Sequence, residues 1–186
     1  MKTLVRNFML AGLLILSSCM SKETEAVTAQ NTETPEMRLA GMGIDLPEPS
    51  SPVANYVSVV QTGNLLFLSG TGPKQTDGTY IQGKVGEDIS LEEGYQAARL
   101  TGINHLALLK NELGDLSRVK RIVKVLGMVN CTPEFQDQPK VINGFSDLMV
   151  EVFQEKGKHA RSAVGMNSLP IGIAVEVEMI VEIAPE

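Results

Sequence analysis

The sequence predicts an α+β domain in which a single β-sheet is covered on one face by two α-helices. Three observations support this fold class: two short apolar runs flank a Gly-Asn turn, two stretches have helical periodicity, and the final stretch alternates apolar and acidic residues. The predicted order is hairpin, helix, strand, helix and two strands. This order is typical of one sheet with its helices on one side.

The first two strands form a predicted hairpin. Residues 56–61 and 65–69 flank a tight turn at residues 62–64 that contains Gly-Asn, and these two residue types adopt the positive φ angles that tight turns need. Residues 38–49 come before the hairpin. Their prolines disfavour helix, so they predict one short turn and then an extended lead-in.

A long helix is predicted after a loop at residues 83–88. Ser90 and Glu93 form a capping box, whose side chains accept hydrogen bonds from the free amide groups at a helix start. Gly114 stands where the helix would end. Seven positions step by three or four residues and predict one buried stripe: Leu91, Tyr95, Ala98, Gly102, Leu106, Leu109 and Leu113.

The second half of the domain predicts a strand followed by a helix. Residues 119–130 are rich in Val, Ile and Leu, which is typical of a strand paired on both sides. Pro139 suits a first helical turn, so a second helix is predicted over residues 139–154. Its apolar face is formed by Val141, Phe145, Leu148, Met149 and Val152.

The final stretch alternates with a period of two residues, which predicts a strand with one buried face and one acidic face. The apolar positions are Val175, Val177, Met179, Val181 and Ile183, and the acidic positions are Glu176, Glu178 and Glu182.

The N-terminus predicts a lipoprotein signal peptide over residues 1–18. Lys2 and Arg6 precede an apolar run at residues 8–16, and the run closes on Ser-Ser before Cys19. The run is too short to remain as a membrane span, so cleavage before Cys19 and lipidation of its thiol are expected. An ordinary signal peptide, or an uncleaved apolar start with an incidental Cys19, are the alternatives.

Residues 19–37 predict the lipidated cysteine and a flexible tether, because they are polar and have no hydrophobic period. Residues 38–186 form the predicted domain. The chain has 16 basic and 22 acidic residues and a net charge of −6, and loss of Lys2 and Arg6 with the signal makes it more acidic. An acidic chain does not favour phosphate backbones, so no nucleic-acid partner is expected.

Several kinds of site are excluded by the residues that are missing. The sequence has no P-loop and no GxGxxG motif. His105 and His159 have no cysteine or carboxylate at ligand spacing, so no metal site is predicted. His105 is expected at the boundary of the long helix, and His159 is expected to cap or solvate the turn before the next strand. After processing Cys131 would be the remaining thiol, without a disulfide partner.

Arg161 is the first candidate functional residue. It stands at the start of an apolar strand, in the sequence Ala-Arg-Ser-Ala-Val, where its guanidinium must find an anion or reach water. The pattern alone favours a salt bridge to a neighbouring carboxylate over a functional site.

Several separate motifs lie around Arg161 and along the whole domain, over residues 46–183. In chain order they are Asn55-Tyr56-Val57, Leu68-Ser69-Gly70, Val141-Ile142-Asn143-Gly144, Phe153, Ala160-Arg161-Ser162, Leu169-Pro170 and Val175-Glu176-Val177-Glu178. The motifs and their order show a resemblance to the Rid (YjgF-like) family. It implies a chorismate-mutase-like fold assembled as a homotrimer, with a cleft at each subunit interface and no cofactor.

The resemblance also implies an activity. Members of the family's best-understood branch hydrolyse reactive enamines and imines, such as 2-aminoacrylate, to 2-oxo acids and ammonia. Arg161 matches the arginine that holds the substrate carboxylate, and a guanidinium suits that role because it offers two parallel charge-assisted hydrogen bonds. Glu176 matches a glutamate near the attacking water, where it could orient the water or move a proton. Without the resemblance, Glu176 is an exposed strand carboxylate.

The remaining candidate residues line or build the same cleft. Tyr56 matches a residue that reaches over the substrate, and Ser69 matches one that offers a hydroxyl group. Gly70 and Asn143 are assigned to building the cleft, since glycine permits close approach and an amide can bind backbone groups. Ala163 stands where many deaminating members have a cysteine, although its backbone carbonyl could still position a water.

These features predict a cofactor-free imine or enamine deaminase on the bacterial cell envelope. Its membrane contact would be the lipid anchor alone, with the periplasmic side of the outer membrane as the expected location. The first alternative is a trimeric carboxylate-binding or scaffold module without turnover. The second is an endoribonuclease, which the acidic chain disfavours, although residues 118–121 are locally basic.

Overall fold

The computed structural model describes residues 33–49 and 55–185. These residues form one five-stranded sheet and three α-helices. The elements in chain order are α1 (Pro35–Gly41), β1 (Val59–Thr62), β2 (Leu65–Thr71), α2 (Leu91–Leu113), β3 (Val119–Asn130), α3 (Gln138–Phe153), β4 (Ala160–Met166) and β5 (Val175–Ile183). The predicted α+β class and the predicted order of elements are confirmed.

The strand order in the sheet is β1-β2-β5-β3-β4. All neighbours are antiparallel except β3 and β4, which are parallel. The predicted pairing of β3 on both sides is confirmed, because it lies between β5 and β4. β4 is an edge strand, so β3 is its only neighbour among the described strands of the sheet.

The two faces of the sheet differ in what they contact. The helix-covered face carries the buried residues of β3 and β5, such as Val125 and Met179, which pair directly. The open face carries the alternate positions, such as Leu126 opposite Glu178. The predicted apolar and acidic alternation of β5 is confirmed by this arrangement.

Helices α2 and α3 pack against each other through small residues. A Cβ atom added at Gly144 of α3 would overlap the backbone carbonyl of Tyr95 on α2, so the two backbones are in direct contact there. Phe145, Leu148 and Met149 follow on the same face of α3 and are fully buried. Close approach of this kind leaves no room for a larger side chain at position 144 unless the two helices move apart.

The predicted hairpin turn and the predicted helix cap both form. Gly63 has a φ of 57° in the hairpin turn, whereas Asn64 does not have a positive φ, and the Ser90–Glu93 capping box is present at the start of α2. β1 begins at Val59 rather than at Tyr56, because pairing with β2 stops at Leu68. Tyr56 therefore lies before the first paired residue of β1, and its side chain is half exposed.

The short turn predicted before the hairpin is a helix, and it begins earlier than predicted. Thr34 caps α1, and Glu36 bonds Lys110 at 2.8 Å and the amide of Leu116 at 2.8 Å. The end of the predicted tether at residue 37 thus lies within α1. The predicted signal peptide, Cys19 and the rest of the predicted tether lie outside the described residues.

His105 does not occupy the boundary position predicted for it. It is fully buried, its Nε2 lies 2.8 Å from the carbonyl of Val177, and its ring meets Phe145 edge-on. The prediction was wrong because α2 buries more than one stripe, including Thr101 on the turn before. No helix in the described part of the chain combines the length and apolarity needed to cross a bilayer.

Candidate active site

Arg161 lies on β4, and its guanidinium is held by α3. Nη1 donates to Oδ1 of Asn143 at 2.9 Å and to Oγ of Ser146 at 3.0 Å. Nη2 makes a longer contact of 3.4 Å with the carbonyl of Pro139. Since Asn143 and Ser146 are three residues apart, they lie on the same face of the helix. The salt bridge that the pattern favours for Arg161 is not formed with any described residue.

His159 extends this hydrogen-bonded group on the side away from Arg161. Its Nδ1 lies 2.6 Å from the carbonyl of Gly157, and its Nε2 lies 3.0 Å from Oγ of Ser146. The capping role predicted for His159 therefore fits its position. Burial, opposed by the bond to Gly157 and reinforced by the positive charge of Arg161, holds the pKa of His159 below its ordinary value.

Glu176 lies on β5, next to an irregularity in the pairing of β5 with β2. The pairing of β2 with β5 shifts between Leu68 and Thr71, and Gly70 lies in this irregularity. A side chain at position 70 would collide with Oε1 of Glu176, so the absence of one lets the carboxylate lie directly over the backbone. Burial, and secondarily the charge of Glu178, raise the pKa of the Glu176 carboxyl above its ordinary value.

Tyr56, Ser69 and Gly70 line one cavity of about 130 Å³, which lies where β1 begins and β2 ends. The hydroxyl of Ser69 donates to the carbonyl of Val57 at 2.8 Å, which ties the segment before β1 to β2. The other walls come from the lead-in, α2 and the loop after β2, and they include Glu48, Lys74, Tyr80, Asn104 and Leu108.

The structure divides the predicted site residues into two groups. Arg161 and Asn143 are in contact, and Ala163 follows Arg161 on the same face of β4, opposite Gly127. The second group is Tyr56, Ser69 and Gly70, with Glu176 touching Gly70. The groups do not meet in one chain, because Arg161 is on the helix-covered face and Glu176 is on the open face.

Sequence reasoning missed Ser146 and His159, which complete the surroundings of Arg161. The spacing of Ser146 from Asn143 is one helical step, so helical periodicity could have indicated it. His159 is two residues before Arg161 and gave no separate signal. No group of three or more His, Cys, Asp or Glu side chains is arranged to hold a metal ion within residues 33–49 and 55–185.

The domain is similar in sequence and fold to proteins of one family. The family model described as "YjgF/chorismate_mutase-like, putative endoribonuclease" matches residues 36–183. The chain therefore belongs to the YjgF family, and the resemblance to the Rid (YjgF-like) family and its fold is confirmed.

Three relatives extend this similarity across the domain. Protein TCP17 of Trypanosoma cruzi is 44% identical over 146 residues, which cover 78% of this chain and 91% of that protein. The crystal structure of Atu1372 from Agrobacterium tumefaciens, a protein of unknown function, has 44% identity and a TM-score of 0.75, covering 81% and 94% of the two chains. A "putative endoribonuclease" from Shewanella oneidensis has 36% identity and a TM-score of 0.78, covering 81% and 99%.

Proposed function

We propose that the protein hydrolyses small imine and enamine carboxylates, such as 2-aminoacrylate, to 2-oxo acids and ammonia without a cofactor. The observation that carries this proposal is the state of Arg161. Its guanidinium is held by neutral oxygen atoms, and it pairs with no carboxylate among residues 33–49 and 55–185. The positive charge of an arginine held in this way is not neutralised by a carboxylate, so the arginine can bind an anionic ligand. Membership of the YjgF family supports the same conclusion.

The reaction needs one water molecule and one group that moves a proton. Water adds to the imine carbon, the carbon–nitrogen bond breaks, and both water hydrogens leave on ammonia, so that a 2-oxo acid remains. An enamine first moves one proton from nitrogen to its terminal carbon. Glu176 is the proposed proton carrier, because the raised pKa of its carboxyl brings proton uptake and release closer to neutral pH.

The proposed site needs two copies of the chain. Arg161 and Glu176 point to opposite faces of one sheet, so a substrate that meets both must lie between subunits. The open face offers apolar residues for such an assembly, since Val60 and Phe67 are 53% and 40% exposed. An exposed apolar patch of this kind is typical of a protein interface. We therefore include the homotrimer in the proposal.

The cellular location is part of the same proposal. Lipidation at Cys19 would hold the domain on the cell envelope through a polar tether, with the outer membrane and its periplasmic side as the expected place. The imines available there would come from oxidases outside the cytoplasm. Globomycin, which blocks lipoprotein signal cleavage, should cause the unprocessed precursor to accumulate, whereas unchanged processing would contradict the anchor.

The experiment that tests the activity couples the full-length chain to an enzyme that generates imines. An amino-acid oxidase supplies several imines, and semicarbazide traps what remains. The proposal predicts that the wild-type chain lowers the trapped imine and that Arg161→Ala does not. Equal trapping with both proteins, across several imines and with trimer assembly verified, would overturn it.

A carboxylate-binding module without turnover is the second candidate. Ala163 favours it, because no thiol is available at the position where many deaminating members of the family have a cysteine. This function predicts that small carboxylates raise the melting temperature while no imine is consumed. The trapping experiment separates the two, since only the enzyme changes the amount of imine.

A further inference from the structure

A row of three hydrogen bonds links Arg161 to Ser146, Ser146 to His159, and His159 to the backbone carbonyl of Gly157. We propose that Ser146 and His159 are positioning residues that fix the Nη1 end of Arg161 and leave its other edge for a ligand carboxylate. This inference rests on the proposed function for the identity of the ligand.

Each donor in the row can be assigned from its partner. A backbone carbonyl only accepts, so the Nδ1 of His159 that lies 2.6 Å from the carbonyl of Gly157 carries the hydrogen. In the neutral ring Nε2 is then an acceptor, and it receives the hydroxyl hydrogen of Ser146 across 3.0 Å. The Ser146 oxygen keeps its lone pairs for Arg161. The row therefore runs from Arg161 to Gly157 with one direction of donation.

The guanidinium has five hydrogen-bond donors, and the row determines which of them remain. Both hydrogens of Nη1 are used, by Asn143 at 2.9 Å and by Ser146 at 3.0 Å. Nη2 makes only the 3.4 Å contact with Pro139, and Nε has no acceptor among the described residues. A carboxylate that binds through two parallel bonds must therefore use the edge formed by Nε and Nη2.

The charges around His159 give this arrangement a measurable signature. They are Arg161 on β4 and, in the turn before His159, the ion pair of Glu155 and Lys158 at 2.7 Å; α3 contributes the neutral Ser146. The repulsion from Arg161 disfavours the protonated ring. A bound anion offsets this repulsion, so ligand binding raises the pKa of His159. By linkage, anion affinity increases as the pH falls through that pKa.

The test is equilibrium binding of pyruvate to the full-length chain, with pyruvamide as the matched probe that lacks a carboxylate. Ser146→Ala removes one bond to Nη1 and should weaken pyruvate binding about tenfold. His159→Leu should weaken it by severalfold, and His159→Gln should restore it, because the glutamine carbonyl can accept from Ser146. Ser162→Ala is the control, since Ser162 bonds Lys124 rather than Arg161.

Nuclear magnetic resonance supplies a second readout that a purely structural role would not change. The chain has two histidines, and pyruvate should raise the pKa of His159 while buried His105 stays unchanged. Pyruvate binding that Ser146→Ala leaves intact, His159→Gln that binds no better than His159→Leu, or undetectable wild-type binding would each overturn the inference. Lost imine hydrolysis with these binding effects intact would overturn the proposed function alone.

Discussion

Arg161 and Glu176 face opposite sides of the same sheet. Arg161 pairs with Val125 on the helix-covered face, and Glu176 pairs with Met128 on the open face. Direct partners in a sheet point to the same side, and neighbours along a strand point to opposite sides. A substrate that contacts both residues must therefore lie between two copies of the chain.

The contact between Gly70 and Glu176 predicts a loss of activity without a loss of fold. Gly70→Ala places a Cβ on Oε1 of Glu176, which is the far end of a flexible side chain and can move aside. We expect imine hydrolysis to fall at least tenfold, because the carboxylate is displaced. The free energy of unfolding should change by less than about 1 kcal/mol. Urea denaturation and the trapping assay on the same preparation check both parts.

Gly144→Ala is the matched substitution, and its main effect should be on the free energy of unfolding. Its Cβ would overlap the backbone carbonyl of Tyr95, and two helices must separate to make room. Overpacking of this kind costs about 1–3 kcal/mol. If Gly144→Ala proved as stable as Gly70→Ala, the close packing of α2 and α3 would be wrong.

Removal of the Glu176 carboxylate should stop hydrolysis and leave the fold intact. Loss of a proton carrier lowers a rate by roughly 10²–10⁴-fold, so we expect a loss of that size for Glu176→Gln. Because the pKa of Glu176 is raised, its ionised form destabilises the fold as the pH rises. Stability at pH 7 should therefore be equal or greater, as measured by thermal unfolding.

Glu178→Gln separates the charge of Glu178 from the chemistry of Glu176. Removing the neighbouring charge lowers the pKa of Glu176, since repulsion from Glu178 contributes to its rise. The acid limb of the rate profile should move to lower pH, while the maximal rate changes little. A profile identical to wild type would show that Glu176 does not set that limb.

Burial of His105 predicts a loss of stability in mild acid. Burial, opposed by the bond to Val177, lowers the pKa of His105 from 6.5 to about 4. The unfolded chain binds the proton more readily, so stability decreases as the pH falls from 6.5 towards 4, by about 3 kcal/mol in total. His105→Gln keeps a donor to the carbonyl of Val177 and should remove this part of the pH dependence. Denaturant titrations at several pH values measure it.

Local patterns predicted most of the fold because each depends on a few adjacent residues. The capping box at Ser90 and the turn at Gly63 form as expected, since their geometry is set within four residues. α1 begins earlier than predicted, because Glu36 in its first turn accepts hydrogen bonds from Lys110 and from the amide of Leu116. Both residues are far from Glu36 in sequence. A long-range contact of this kind has no local signal.

The candidate site was predicted only in part, because its contacts also join residues that are far apart in sequence. Family motifs indicate Arg161 and Glu176 as candidate site residues, but the distance between the two depends on strand register, which no single motif encodes. Ser146 and His159 meet Arg161 because α3 and the turn before β4 pack against the edge strand. Such a meeting follows from tertiary packing, so it became visible only with the fold.

Subunit mixing tests most directly the claim that two chains build one site. Arg161→Ala and Glu176→Gln are each expected to be inactive alone. After the two are mixed, unfolded and refolded together in equal amounts, about a quarter of the interfaces in a cyclic trimer combine two intact halves. We predict that about a quarter of wild-type imine hydrolysis returns. No recovery, in mixed trimers whose composition is verified by mass spectrometry, would show that Arg161 and Glu176 do not act together across subunits.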